Sequence, residues 1–420
     1  MSIDTQAGAE SSGAAVLRPL RVAMAGLGVG ASQVIPTLEK LPEAQLVAAA
    51  DLRQGALDAF QARFGGRTYT SVEALCNDPD VDVIWVATPN NYHCEHIVMA
   101  AEHGKHVVCE KPMALSVEEA ERMVNAADRN GVKMVCGHTF SLHPSIQTMK
   151  GVVASGELGQ LYAINAWLYT DWMLKPRMPE EVDLKLGGGV VYRHAPHIID
   201  TIRLLGGGMA RSVRAAVGQW LPERPCPGNF SAFIDFDGGP AATVAYSGYG
   251  YFDTSELTWS AGSRLYTDDE RVRVRKALRA NEMDVAGAKE AMRFGAEAGA
   301  GSNEVAGTGS PTQPNRSWFG IVVASCEHGD VRQSLDGVYV YGDEGRREIP
   351  VQQRRMTGQT ELHELYEAVH HGTPISHDGR WGMATLEVCI AIMQSARERR
   401  EIILTHQCPL NEPAEAAAAE

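Results

Sequence analysis

Short apolar runs separated by amphipathic stretches dominate the first third of the chain. Leu20–Ala25, 46–50, 81–87 and 106–109 have the near-continuous apolar character of strands buried on both faces. Between them, apolar residues recur at helical spacing through about residue 40, over 54–63, from Ser71, up to about residue 102, and after Ser116, which has Glu119 three positions on as in a capping box. With a short extended piece at 67–70 and a strand at 133–137, the alternation predicts about six strands in a doubly wound parallel sheet, a Rossmann domain over 18–138. After residue 138 the texture changes. Segments 161–169, 230–236 and 241–247 are rich in aromatics and alternate, which predicts half-buried antiparallel strands. The expected fold class is α/β, with a C-terminal α+β domain over 139–408. Within it, 262–317 reads as an insertion or flap: a charged helical piece at 268–294, then a Gly/Ser/Pro-rich stretch at 295–314. Residues 1–17 read as a disordered lead-in and 409–420 as a disordered tail.

Composition narrows the class. A chain of 420 residues exceeds one core of about 100–200 residues, so two domains are expected. Nothing approaches the roughly 20 consecutive apolar residues of a membrane span, and residues 1–17 lack a signal peptide's basic start and apolar core, so a cytoplasmic protein is expected, without a membrane partner. The eight cysteines include no Cys-x-x-Cys pair, which argues for free thiols. A net charge of −14 repels nucleic acid. An anionic substrate would therefore need a local basic pocket. His93 and His96 flank Cys94 and Glu95, but no further ligand set stands in register, so no metal is expected.

The chemistry starts at the first turn. Gly26-x-Gly28-x-x-Ala31 follows the first strand: Gly26 for the tight turn, Gly28 with Val29 and Gly30 for backbone approach to a pyrophosphate, Ala31 for close helix packing. Asp51 ends the second strand, where a carboxylate accepts both hydroxyls of an adenosine ribose. That favours NAD, although Arg53 could instead meet a 2′-phosphate. Thr88, Pro89 and Asn90 follow the strand at 81–87, and the helix after them would place His93 near the cofactor. Lys111 stands at the carboxyl end of strand 106–109, where such sheets bind ligands, and Pro112 keeps it from continuing into a helix. Glu110 suits the cofactor ribose or the loop better than acid/base work.

Residues 87–93 (ATPNNYH), 104–112 (GKHVVCEKP) and 187–200 (GGGVVYRHAPHIID), at this spacing behind the glycine turn, resemble the Gfo/Idh/MocA family of glucose-fructose oxidoreductases and inositol dehydrogenases. The resemblance implies an NAD(P)-dependent oxidoreductase whose second domain is an open, mostly antiparallel sheet. It also implies a homo-oligomer, dimer or tetramer, assembled through that sheet, and it maps the family's catalytic lysine and histidine onto Lys111 and His197. Members acting on sugars carry an aspartate where this chain has Arg193 and a glycine where it has Ala195. An arginine offers a planar fork for a carboxylate. Lys175 and Arg177 could add charge, Trp172 an apolar wall, and His138, His143 and His194 further substrate contacts. Together with residues 325–341 this looks like the branch that includes bacterial phthalate dihydrodiol dehydrogenases. The implied activity is oxidation of a cis-dihydrodiol of an aromatic carboxylate, phthalate above all, by hydride transfer to NAD. A polyol, sugar or inositol dehydrogenase is the alternative, then an NAD-dependent glycosidase, then a non-catalytic NAD-binding regulator. Paired Lys111 and His197 argue against the last.

Overall fold

A computed structural model describes residues 17–137, 140–257, 268–295, 320–351 and 358–411. His138, most of 295–314 and most of the two terminal stretches lie outside the described residues.

Strands β1 (Leu20–Ala25), β2 (Ala44–Ala50), β3 (Arg67–Tyr69), β4 (Val83–Val86), β5 (His106–Cys109) and β6 (Met134–Cys136) form a parallel sheet in the order β3-β2-β1-β4-β5-β6. Helices α1 (Val29–Leu38), α2 (Gln54–Phe64), α3 (Val72–Cys76), α4 (His93–Glu102) and α5 (Val117–Arg129) connect them. Period-two alternation divides the strands between two cores. Val22, Met24, Val83, Trp85 and Val108 face one, while Ala23, Ala25, Ile84, Val86, Val107 and Cys109 face the other. That explains why these strands read as unbroken apolar runs. Ser116 caps α5 as expected, its hydroxyl accepting from Glu119 N at 3.2 Å, and Glu119 returns a carboxylate oxygen to Leu115 N.

The second sheet has nine strands: β7 (Leu161–Tyr169), β8 (Ala210–Gly218), β9 (Asn229–Phe236), β10 (Ala241–Ser247), β11 (Ile321–Cys326), β12 (Gly329–Gln333), β13 (Gly337–Gly342), β14 (Gly345–Pro350) and β15 (Ile402–Ile403). Their order is β14-β13-β12-β11-β7-β10-β9-β8-β15, antiparallel except where β7 meets β10. One face, carrying Ile164, Ala166, Leu168, Phe230, Ile234 and Val244, is buried in a core shared with α6 (Pro144–Ala154), α9 (Ala195–Leu205) and α13 (Gly379–Glu398). The other leaves Trp167 51% and Phe233 45% exposed. Short helices α7 (Pro179–Val182) and α8 (Val190–Arg193) precede α9. Arg193 therefore ends one helix and His197 lies in the next, with Pro196 near the start of α9, where its missing N–H costs nothing.

Two features depart from the sequence pattern. The charged piece expected as one helix is two, α10 (Asp268–Arg279) and α11 (Val285–Glu290). Helix α12 (Gln359–His370), which patterning assigns to the second domain, inserts Leu362, Leu365 and Tyr366 into the core that holds Val22, Met24 and Trp85.

Candidate active site

The nucleotide end is built around Gly26. Its φ is +93°, and a Cβ there would stand 2.8 Å from the Ala87 carbonyl oxygen, so only glycine allows β1 and β4 to close together. A Cβ at Gly28 would meet nothing within 4 Å, and at Gly30 only Ala87 Cβ at 3.9 Å. That leaves open approach to the start of α1, as a pyrophosphate requires. Asp51 accepts from Leu27 N at 2.7 Å and Arg53 N at 2.8 Å. The Arg53 side chain fills the rest of the carboxylate, Nε on Oδ1 at 3.2 Å and Nη2 on Oδ2 at 3.3 Å, so a ribose hydroxyl would have to displace these two longer contacts. Arg53 is already engaged, by Asp51 at 3.2 Å and by the Leu27 carbonyl at 2.8 Å. These residues fit a dinucleotide without a 2′-phosphate.

The loops after β4 and β5 are stapled together. His93, buried, sets Nδ1 2.9 Å from Pro112 O and Nε2 2.8 Å from Thr88 O, so the ring joins the two loops instead of facing the groove. Thr88 Oγ1 meets His96 Nδ1 at 2.9 Å, which occupies that histidine as well. Asn90 donates to Gly187 O at 3.2 Å and so ties the loop after Pro89 to the triple-glycine run. Glu110 continues the alternation of β5 and accepts from Trp85 Nε1 at 3.2 Å.

Lys111 follows, half-buried, and donates to the Arg193 carbonyl at 3.3 Å. Burial lowers its pKa to about 8, helped by Arg193 and Arg177 and opposed by Glu110. His194 is held neutral well below its ordinary range by burial and by the charges of Lys111, Lys175 and Arg177. Its Nδ1 lies 2.7 Å from Tyr246 OH, which reaches Thr170 Oγ1 at 3.3 Å. His197 is buried, edge-on to Phe140 at 4.7 Å and to His194 at 6.2 Å. Three residues on, Asp200 accepts from Trp381 Nε1 at 2.5 Å and Thr385 Oγ1 at 3.0 Å, and faces His377 Nε2 at 3.5 Å. His377 Nδ1 faces Glu364 of α12 at 3.6 Å.

Two of the three expected cations, Arg177 and Arg193, converge on a carboxylate that sequence reading missed. Glu181 Oε1 is 3.6 Å from Arg177, 3.5 Å from Arg193 and 2.7 Å from Lys289 of α11, while Oε2 accepts from Met178 N. Three cations share one carboxylate. Arg177 is no solvated loop residue: its guanidinium lies 4.0 Å over the Trp172 ring, and burial brings its pKa down to about 10. Trp172 thus backs Arg177. Lys175 pairs with Asp171 at 3.7 Å, and Arg224, also missed, holds the loop through the Arg177 and Lys175 carbonyls. Position three of α7 behind Pro179 was a legible place for Glu181; Lys289 had no signal.

The chain's residues 20–138 match the family model described as "Oxidoreductase family, NAD-binding Rossmann fold", and 146–264 match the "GFO/IDH/MocA C-terminal domain". A 1-carboxy-3-chloro-3,4-dihydroxycyclohexa-1,5-diene dehydrogenase of Comamonas testosteroni is 33% identical over 380 residues, covering 90% of this chain and 95% of the relative. The chain belongs to the Gfo/Idh/MocA oxidoreductase family. It is an NAD-dependent oxidoreductase; the loops after β1, β2, β4 and β5 would hold the NAD, which when bound would supply the hydride exchange. A levoglucosan dehydrogenase of Pseudarthrobacter phenanthrenivorans is 35% identical over 168 residues, 39% of this chain and 43% of that one. The crystal structure of a candidate dehydrogenase from Bordetella bronchiseptica RB50 superposes with a TM-score of 0.83 at 34% identity, covering 92% of this chain and all of the other. Among the described residues, no helix is long and apolar enough to cross a membrane, and no group of three or more His, Cys, Asp or Glu is placed to hold a metal.

Proposed function

We propose that this enzyme oxidises a cis-dihydrodiol of an aromatic carboxylate, with phthalate 4,5-cis-dihydrodiol going to 4,5-dihydroxyphthalate as the specific reaction. The observation that carries this is Arg193. Its backbone carbonyl receives Lys111, its guanidinium shares Glu181 with other cations, and its buried Nε has no partner among the described residues. A guanidinium so placed offers a charge-assisted contact to a substrate carboxylate beside the reacting hydroxyl. The Comamonas testosteroni relative, named for a carboxylated dihydroxycyclohexadiene, supports the same substrate class.

Lys111, as the neutral amine, accepts the proton of the hydroxyl being oxidised, and hydride leaves the same carbon. His197 hydrogen-bonds the same or the adjacent hydroxyl, while Lys175, Arg177 and His194 shape the anionic side. The hydroxy-ketone tautomerises to a catechol, and aromatisation makes the oxidation effectively irreversible. Thr88, Pro89, Asn90 and Glu110 frame the cofactor groove.

The half-exposed Trp167 and Phe233 on the uncovered sheet face support a homo-oligomer built through that sheet, and the eight free thiols support a cytoplasmic location. NADH absorbance, followed with a panel of carboxylated dihydrodiols, neutral dihydrodiols, inositol and hexoses, tests the substrate. Turnover confined to inositol or hexoses would overturn the reading.

A further inference from the structure

Helix α11 carries two neighbouring residues that reach different binding sites. Lys289, 8% exposed, donates to Glu181 Oε1 at 2.7 Å on the substrate side. Glu290 faces Arg53 at 3.6 Å, and Arg53 is the residue paired with Asp51 at the nucleotide end. The chain just beyond stays on the nucleotide side. Met292 O accepts from Ser32 Oγ of α1 at 3.3 Å, Phe294 packs on the first core, and Gly295 lies against Ala56 and Ala59 of α2. Segment 285–295 is thus a strap anchored on α1 and α2, with Lys289 extended from it into the substrate site.

Lys289 is the nearest cation to Glu181, but neutralising that carboxylate does not explain why three cations surround it. A buried ammonium is costly unless paired, and a buried carboxylate likewise needs one cation. Glu181 already has Arg177 and Arg193 within 3.6 Å. A third cation on the same oxygen leaves a positive surplus that a second carboxylate would satisfy.

We propose that Lys289 is a specificity-determining residue that binds the carboxylate of the substrate, delivered to the pocket by the 285–295 strap. This rests on the anionic-substrate reading above. On substrate entry the ammonium exchanges part of its contact with Glu181 for the incoming carboxylate, and Arg177 and Arg193 keep Glu181 neutralised.

The test compares wild type, Lys289→Met and Lys289→Arg on a carboxylated cis-dihydrodiol and on its neutral, decarboxylated counterpart, with melting temperatures measured alongside. Lys289→Met should raise KM for the carboxylated substrate by about 10-fold or more, the worth of one charge-assisted contact. KM for the neutral substrate and for NAD should stay within about twofold, and Lys289→Arg should recover most of the loss. If Lys289→Met changes both substrates equally, or neither, while wild type still favours the carboxylated one, the strap lysine is only structural and Arg193 alone carries the preference. If wild type shows no preference for the carboxylate, the anionic-substrate reading itself falls and this proposal falls with it. Should Lys289→Met melt below the assay temperature, Lys289→Gln decides by the same comparison.

Discussion

Lys111 Nζ and the carbonyl of Arg193 are 3.3 Å apart, so the residue proposed to take the proton is held by the backbone of the residue proposed to take the carboxylate. The contact joins the end of β5 to the end of α8 across the two domains. It aims the amine without consuming the guanidinium, and it couples the geometry of proton removal to that of substrate recognition.

Replacing Lys111 with Met should lower kcat by about 10²–10⁴, the span of a general base, with little effect on NAD affinity. Because the amine must be neutral to accept a proton, kcat/KM in the wild type should rise with pH and level off above about 8. His197→Asn should cost less. A pH profile that stays flat through this range, with turnover by Lys111→Met near wild type, would transfer the base assignment to His197.

Arg193→Ala should raise KM for the dicarboxylated dihydrodiol by ~10–100-fold, as expected for losing a charge-assisted contact in a desolvated site. The neutral dihydrodiol should be affected far less. Steady-state kinetics on the two substrates checks the difference; equal losses, with the carbonyl that holds Lys111 still in place, would show that the guanidinium shapes the site as a whole and does not bind the carboxylate.

NAD should exceed NADP in kcat/KM by ~100-fold or more, because a 2′-phosphate would press against Asp51 while Arg53 is already committed to that carboxylate. Asp51→Ala should narrow the ratio by lowering the NAD value. Comparable wild-type values for the two cofactors would contradict the assignment of Asp51.

His377 sits fully buried between Asp200 and Glu364, and these carboxylates raise its pKa to about 10 against the penalty of burial. A pKa raised by folding stabilises fully below the unfolded value of about 6.5 and loses its contribution as pH climbs to the folded value. His377→Gln should therefore destabilise by about 3–5 kcal/mol near pH 6, the range for breaking a buried pair. The gap to wild type should shrink toward pH 10. Thermal melts across that interval are the check, and a gap independent of pH would mean that the imidazole acts by packing.

The parallel sheet was legible because its cause is local: each strand is apolar throughout since both of its faces are buried, and Gly26, Asp51 and Lys111 sit at strand ends where the connection rules put ligands. The anion site was half legible. Arg193 and Arg177 show as departures and charges in sequence, but Glu181 Oε1, where they meet Lys289, is fixed by contacts spanning 108 residues. His93 misled for a related reason. Its place after the turn is as expected, yet both ring nitrogens face the carbonyls of Thr88 and Pro112, a use visible only once the second loop is folded beside the first.

Helix α12 has a bearing on synthesis. Leu362, Leu365 and Tyr366 fill a core whose other walls come from residues near the amino terminus. As the chain emerges, the first sheet therefore waits for residues synthesised more than two hundred positions after its last strand before one of its faces is sealed. During that interval α1 and α2 already lie over part of this face, but its β6 end, where Val135 meets α12, has no final cover. A fragment ending after β6 would keep that end open and tend to aggregate, so the nucleotide-binding half is not a module that can be cut out and moved to another protein.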